Sequence, residues 1–108
     1  MTENWVPDAG DIVWLRFDPQ SGREQAGHRP GLVVSPATYN RMTGLMLCVP
    51  MTSRAKGFRF EVAFRDGGIA LADQIKSLDW RARGATPKAK ASPAELAAVR
   101  ARVRALVG

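Results

Sequence analysis

Asp11-Ile12-Val13-Trp14-Leu15-Arg16-Phe17 gathers β-branched and aromatic residues between strong breakers, Pro7 and Gly10 before it and Asp18-Pro19 after it. A run of this length and composition reads as a strand. The next apolar run, Gly31-Leu32-Val33-Val34-Ser35, is too short for a helix and carries no polar face, so it reads as a buried strand. Leu45 to Pro50 reads the same way. Between these two, Pro36 opens a helical turn or short helix through Asn40. Phe58, Phe60, Val62 and Phe64 alternate with Arg59, Glu61 and Ala63, the pattern of a half-buried strand with one wet face. Gly67-Gly68 marks a turn, Ile69 to Ala72 begins another strand, Asp79-Trp80 suggests a helical turn, and residues 84–91 suggest a last short strand.

Ser92-Pro93-Ala94-Glu95 carries an N-cap serine, proline at the first helical position and glutamate three residues after the cap, which is a capping box. Leu96, Val99, Val103 and Leu106 follow at helical spacing, with Arg100, Arg102 and Arg104 between them. The element is predicted as an amphipathic helix ending at Gly108, its arginines a solvated face that suits the helix dipole. Closely spaced short strands followed by one helix predict a mainly β fold, a small β-barrel with helices, as a single domain over 1–108.

The chain has 108 residues, 16 Lys and Arg against 10 Asp and Glu, and a net charge of +6. A basic small domain points to a polyanion, either nucleic acid or an acidic protein. The single cysteine, Cys48, excludes an intramolecular disulfide. With His28 the only histidine, a structural zinc site is not expected, nor is any metal or cofactor. Residues 1–5 lack the basic-then-apolar pattern of a signal peptide, and no apolar run approaches the ~20 residues of a membrane span. The expected location is the cytoplasm.

Two segments carry groups capable of chemistry. Residues 18–30 form a polar loop of about a dozen residues, a length usually tied to function. Its end, Glu24-Gln25-Ala26-Gly27-His28-Arg29-Pro30, sets a carboxylate, an imidazole and a guanidinium beside a rigid proline. Past Pro50, Thr52 and Ser53 offer hydroxyls, followed by Arg54 and Lys56, a set able to cradle a phosphodiester. Each segment also has a plain reading, as an Arg–Glu surface pair and as a polar turn. There is no G-x-S-x-G, P-loop or zinc motif. One histidine cannot supply a two-histidine acid–base pair.

Taken together, several stretches resemble the MazF/PemK family of endoribonuclease toxins. They are Trp5-Val6-Pro7-Asp8 with Gly10-Asp11, Phe17-Asp18-Pro19, the Glu24-to-Pro30 loop, Ser35-Pro36 with Tyr39-Asn40, Cys48-Val49-Pro50 with Thr52, Lys56-Gly57, Ala70 to Gln74 with Lys76-Ser77, and Trp80 to Ala85. The resemblance covers nearly the whole chain, and its E-Q-x-G-x-R-P stretch is the most specific motif. It implies a small SH3-like barrel forming a homodimer. It also implies cleavage of single-stranded RNA at short specific sequences, and neutralisation by an antitoxin with an acidic, disordered tail. It places the catalytic pair on Arg29 and Thr52, with the loop glutamate on Glu24. In the PemK branch a catalytic arginine stands two residues before the D-Q motif. Here that position is Leu71, ahead of Asp73-Gln74, so Arg29 has to provide the cation.

Metal-free RNA cleavage uses the ribose 2′-hydroxyl as nucleophile and develops negative charge on the phosphoryl oxygens. A guanidinium stabilises that charge with two parallel hydrogen bonds, here aided by the Thr52 hydroxyl. Because a guanidinium stays protonated, Glu24 is the candidate base, with His28 as its rival. Candidate RNA contacts are His28, Asn40, Ser53, Arg54, Lys56, Gln74 and Lys76. Phe17 fits either a base-stacking role or a core position. A non-catalytic SH3-like nucleic-acid-binding module and a barrel toxin acting on a protein are the competing readings; neither needs the pairing of the Arg29 loop with Thr52.

Overall fold

The computed structural model describes residues 5–17, 22 and 27–108. Along the chain run β1 (Asp11–Arg16), β2 (His28–Val33), α1 (Ala37–Thr43), β3 (Leu45–Thr52), β4 (Glu61–Ala63), β5 (Ile69–Leu71), a 3-10 turn (Ala72–Gln74), β6 (Lys76–Asp79), β7 (Thr86–Lys90) and α2 (Pro93–Val107). The strand order is β4-β5-β3-β2-β1-β7, every pairing antiparallel. The eight-residue β3 also pairs through its first half with β6, on the edge that its second half gives to β5.

The unbroken apolar runs have a structural cause. Successive strand residues face opposite sides of a sheet, and here both sides are covered. Ile12, Leu32 and Val49 enter one core; their neighbours Val13, Val33 and Cys48 enter the other. The first core is closed by Leu96, Val99 and Val103 of α2 and by Val62 and Phe64. The second is closed by Leu78, Trp80, Trp5 and Val6. Ile12, Phe64, Ala89 and Ala91 line one shared depression, so the two ends of the strand path meet and the sheet curls into a small barrel.

The capping box is present in full: Ser92 Oγ accepts from Glu95 N at 3.1 Å, and a Glu95 carboxylate oxygen accepts from Ser92 N at 2.8 Å. The arginines of α2 differ from expectation. Arg100 donates to Val34 O at 2.8 Å, tying the helix to the sheet rather than standing in solvent. Leu106, predicted on the apolar face, is 46% exposed.

Three further elements depart from the sequence reading. β2 begins at His28, so His28, Arg29 and Pro30 belong to a strand rather than a loop. β6 replaces the helical turn expected at Asp79-Trp80, and the turn follows the strand. The strand expected over Phe58–Phe64 shrinks to Glu61–Ala63, because Glu61 takes backbone N–H groups of Lys56 and Gly57 and folds the preceding residues into a loop.

Candidate active site

Pro30 and Pro50 set the local geometry, because proline has no N–H to give to a ladder. The β2–β3 ladder pairs Val33 with Cys48, Leu32 with Val49 and Gly31 with Pro50, and no pair is formed beyond Pro50. Continued by two residues, the same register sets Arg29 opposite Thr52, on a common side of the strands. Two residues far apart in sequence are thereby brought to one place. The Arg29 side chain is oriented by Met51, whose carbonyl accepts from Nη1 at 3.4 Å. Thr52 closes β3, and its Oγ1 accepts from Arg54 N at 3.3 Å, a local turn that starts the cationic loop.

Thr52 is common to three adjoining depressions. One, of ≈ 330 Å³, is lined by Arg29, Thr52 and Ser53 together with Ile12, Pro30, Met51, Asp66, Gly67, Gly68 and Lys88. A second, of ≈ 390 Å³, is lined by Arg29, Thr52, Ser53, Arg54 and Lys56. The third, of ≈ 400 Å³, adds Phe58, Glu61, Leu71, Asp73 and Gln74 to Thr52, Arg54 and Lys56. A guanidinium, two hydroxyls and two further cations thus converge on open concave surface, an arrangement suited to a phosphodiester and its neighbours.

Glu61 shapes this surface, and nothing local in the sequence marks it. One carboxylate oxygen accepts from Lys56 N at 3.2 Å and Gly57 N at 3.1 Å; the other lies 3.1 Å from Lys56 N. The contacts hold the Arg54–Lys56 loop beside Thr52. Asp66 and Lys88 also line the site without a sequence signal, whereas the Gly67-Gly68 turn is visible in the sequence.

Arg29, Thr52, Ser53, Arg54, Lys56 and Gln74 are brought together as the sequence suggested. Lys76 starts β6 opposite Cys48 and lines none of the three depressions. Glu24 lies outside the described residues. Phe17 N donates to Gly27 O at 3.0 Å, two residues before Arg29.

Two candidate RNA contacts, Phe17 and Asn40, and one candidate base, His28, are corrected. Phe17 is 1% exposed and packs in the core, so it offers no face to a base. Asn40 is fully buried: its Nδ2 donates to Pro7 O at 2.8 Å and Ser35 O at 3.0 Å, its Oδ1 accepts from Ser35 Oγ at 2.6 Å, and its carbonyl accepts from Trp80 Nε1 at 3.0 Å. Asn40 holds the fold, not RNA. His28 precedes Arg29 on an extended strand and faces the other side, where its ring stacks on Trp14; it lines none of the three depressions and is poorly placed as a base. Cys48 is buried, and burial pushes its thiol pKa up, which makes it inert packing.

Among the described residues no three His, Cys, Asp or Glu side chains gather as metal ligands would, and no helix is long and apolar enough to cross a membrane.

Comparison with known proteins fits this geometry. The endoribonuclease toxin MazF of Escherichia coli K12 is 53% identical over 112 aligned residues, covering 100% of both chains. A crystal structure of MazF from Deinococcus radiodurans superposes with a TM-score of 0.92 at 52% identity, covering 97% of this chain and 99% of that one. A MazE–MazF structure from the same organism gives a TM-score of 0.87 at 52% identity, covering 97% and 98%. Residues 8–107 match the family described as PemK-like, MazF-like toxin of type II toxin–antitoxin systems, and the chain belongs to that family.

Proposed function

We propose that this protein is the toxin of a type II toxin–antitoxin pair and cuts single-stranded RNA at specific sequences without a metal ion. The observation that carries the reading is the convergence of Arg29, Thr52, Arg54 and Lys56 on one open surface at the splayed end of β2 and β3. The endoribonuclease names of the relatives support it.

In this mechanism the ribose 2′-oxygen attacks the adjacent phosphorus, the bond to the 5′-oxygen breaks, and the products are a 2′,3′-cyclic phosphate and a 5′-hydroxyl. The Arg29 guanidinium stabilises the charge that develops on the non-bridging oxygens, and the Thr52 hydroxyl donates to one of them. Arg54 and Lys56 hold neighbouring phosphates, and Ser53 and Gln74 line the RNA path. Glu24 takes the 2′-hydroxyl proton, and the leaving 5′-oxygen is protonated from solvent.

The partners follow from charge and surface. Two chains at +6 each give +12 in a homodimer. Tyr39, Met42, Leu45 and Leu47, exposed on α1 and β3, supply apolar surface for a second copy. A cognate antitoxin is a partner, as the MazE–MazF structures of the Deinococcus relative suggest, and charge favours an acidic tail that competes with RNA for the cationic surface. The proposed site of action is the cytoplasm, where such RNA is found. The test is digestion of a long unstructured RNA in EDTA with fragment ends mapped. Discrete cuts with 5′-hydroxyl ends, abolished by deoxyribose at the cleaved position, are expected. A strict magnesium requirement overturns the mechanism, and binding without cleavage favours the non-catalytic module.

A further inference from the structure

A second cluster is built on β1 and β2 beside the depression that holds Arg29. Trp14 pairs with Pro30, and Arg16 with His28. Directly opposed and alternate residues share a face, so these four side chains lie together. The Trp14 and His28 rings are parallel within 6°, with centroids 5.6 Å apart. The Lys88 ammonium, from β7, stands 5.3 Å from the Trp14 ring centre. Arg16, His28 and Lys88 are exposed, and Trp14 is half-buried. Trp14 thus stands between His28 on one side and Lys88 on the other, and the outer face of the exposed His28 ring is the π-face left for a base, with Lys88 and Arg16 on the neighbouring strands to meet its phosphates. Lys88 also lines the depression that holds Arg29 and Thr52, so the cluster adjoins the proposed site of cleavage.

We propose that the His28 ring, backed by Trp14, is a stacking platform for a base of the RNA flanking the cleaved bond, with Lys88 and Arg16 on the adjoining phosphates. The platform extends the grip on RNA beyond the cleaved word and rests on the endoribonuclease reading. An acidic peptide would meet the same cations but gains less from paired flat rings, so the rings favour RNA as the occupant.

The test separates stacking from charge. Once the cleaved word is mapped, it is made with deoxyribose at the cut and with flanks that are either normal or abasic. Both probes keep all their phosphates. The wild-type protein should bind the normal-flanked probe ~5- to 100-fold more tightly, the range that one stacked base typically contributes. That ratio should fall toward one in His28→Ala and in Trp14→Leu, each checked for wild-type thermal unfolding. Lys88→Ala should weaken both probes and leave their ratio nearly intact. His28→Ala and Lys88→Ala lie on exposed positions and keep the test decisive if Trp14→Leu does not fold. A ratio near one in the wild type, or an unchanged ratio in His28→Ala, overturns the platform while leaving the cleavage reading standing. Failure of the wild type to bind or cut any RNA overturns both. Loss of acidic-peptide binding in His28→Ala with RNA binding unaltered assigns the surface to a peptide and overturns the proposal.

Discussion

Asn40 and the Arg29–Thr52 pair are both polar groups set against the same sheet, and they have opposite fates. Asn40 is sealed between α1, Ser35, Pro7 and Trp80, with its amide nitrogen and oxygen both bonded to protein. Arg29 and Thr52 sit where two prolines end a ladder and the strands part, lining open depressions. A polar side chain whose capacity is used up inside the protein is committed to the fold. One that faces concave solvent among cations is placed for a ligand.

Asn40→Ala should therefore give the largest stability loss. It leaves the Pro7 and Ser35 carbonyls and the Ser35 hydroxyl proton without these partners, the hydroxyl oxygen still accepting from Leu47 N, at a cost on the order of 3 kcal/mol. Urea unfolding measures it, and the remaining folded fraction should cut RNA at the normal rate per molecule. A rate defect that persists per folded molecule would move Asn40 back to the RNA surface.

Arg29→Ala should reverse that pattern. Cleavage should fall by at least ~100-fold, about 2.7 kcal/mol of transition-state stabilisation, with a far smaller change in unfolding. Single-turnover kinetics with an RNA of known cut site measures it. Near-normal cleavage removes Arg29 from the mechanism.

Gly31 stands between the two regions. A Cβ there would lie 2.6 Å from Cys48 Sγ, 2.9 Å from Phe17 Cζ and 3.0 Å from Leu15 Cδ2, all buried. Gly31→Ala should cost about 1–3 kcal/mol through overpacking. It should also disturb the register that sets Arg29 against Thr52, lowering the rate in folded protein.

The smallest effect is expected at Glu95, whose pKa is lowered by the backbone N–H of Arg65 and then that of Ser92. A depressed carboxylate pKa contributes stability above its unfolded value, lost as pH falls through the folded value. Glu95→Gln should be less stable than the wild type at pH 7, and the difference should shrink as pH drops below about 4. A difference independent of pH would mean that the charge on Glu95 contributes nothing.

Sequence and structure agree where the signal is local. The capping box and the buried runs around Val13, Val33 and Val49 follow from chemistry within a few residues. β6 is hidden because Lys76-Ser77-Leu78-Asp79 is four residues long with one apolar side chain, and only its pairing with β3 makes it a strand. Arg29 and Thr52 stand out as residue types, yet their meeting depends on the β2–β3 register. Glu61 could not be found from sequence, since its work is to accept backbone N–H groups across a loop. Phe17 and Asn40 were misleading because an aromatic ring and an amide suit a core or RNA equally until burial is known.

The most direct test is a double-mutant cycle on the single-turnover cleavage rate, comparing wild type, Arg29→Ala, Thr52→Ala and the double variant. Thr52→Ala alone should cost about tenfold, less than Arg29→Ala, because a neutral donor gives less than a guanidinium. Two groups acting on one phosphate should be coupled, so the double variant should lose clearly less than the product of the single losses. Losses that multiply cleanly, or single variants that cut at nearly the wild-type rate, would contradict a shared phosphate at the parted ends of β2 and β3.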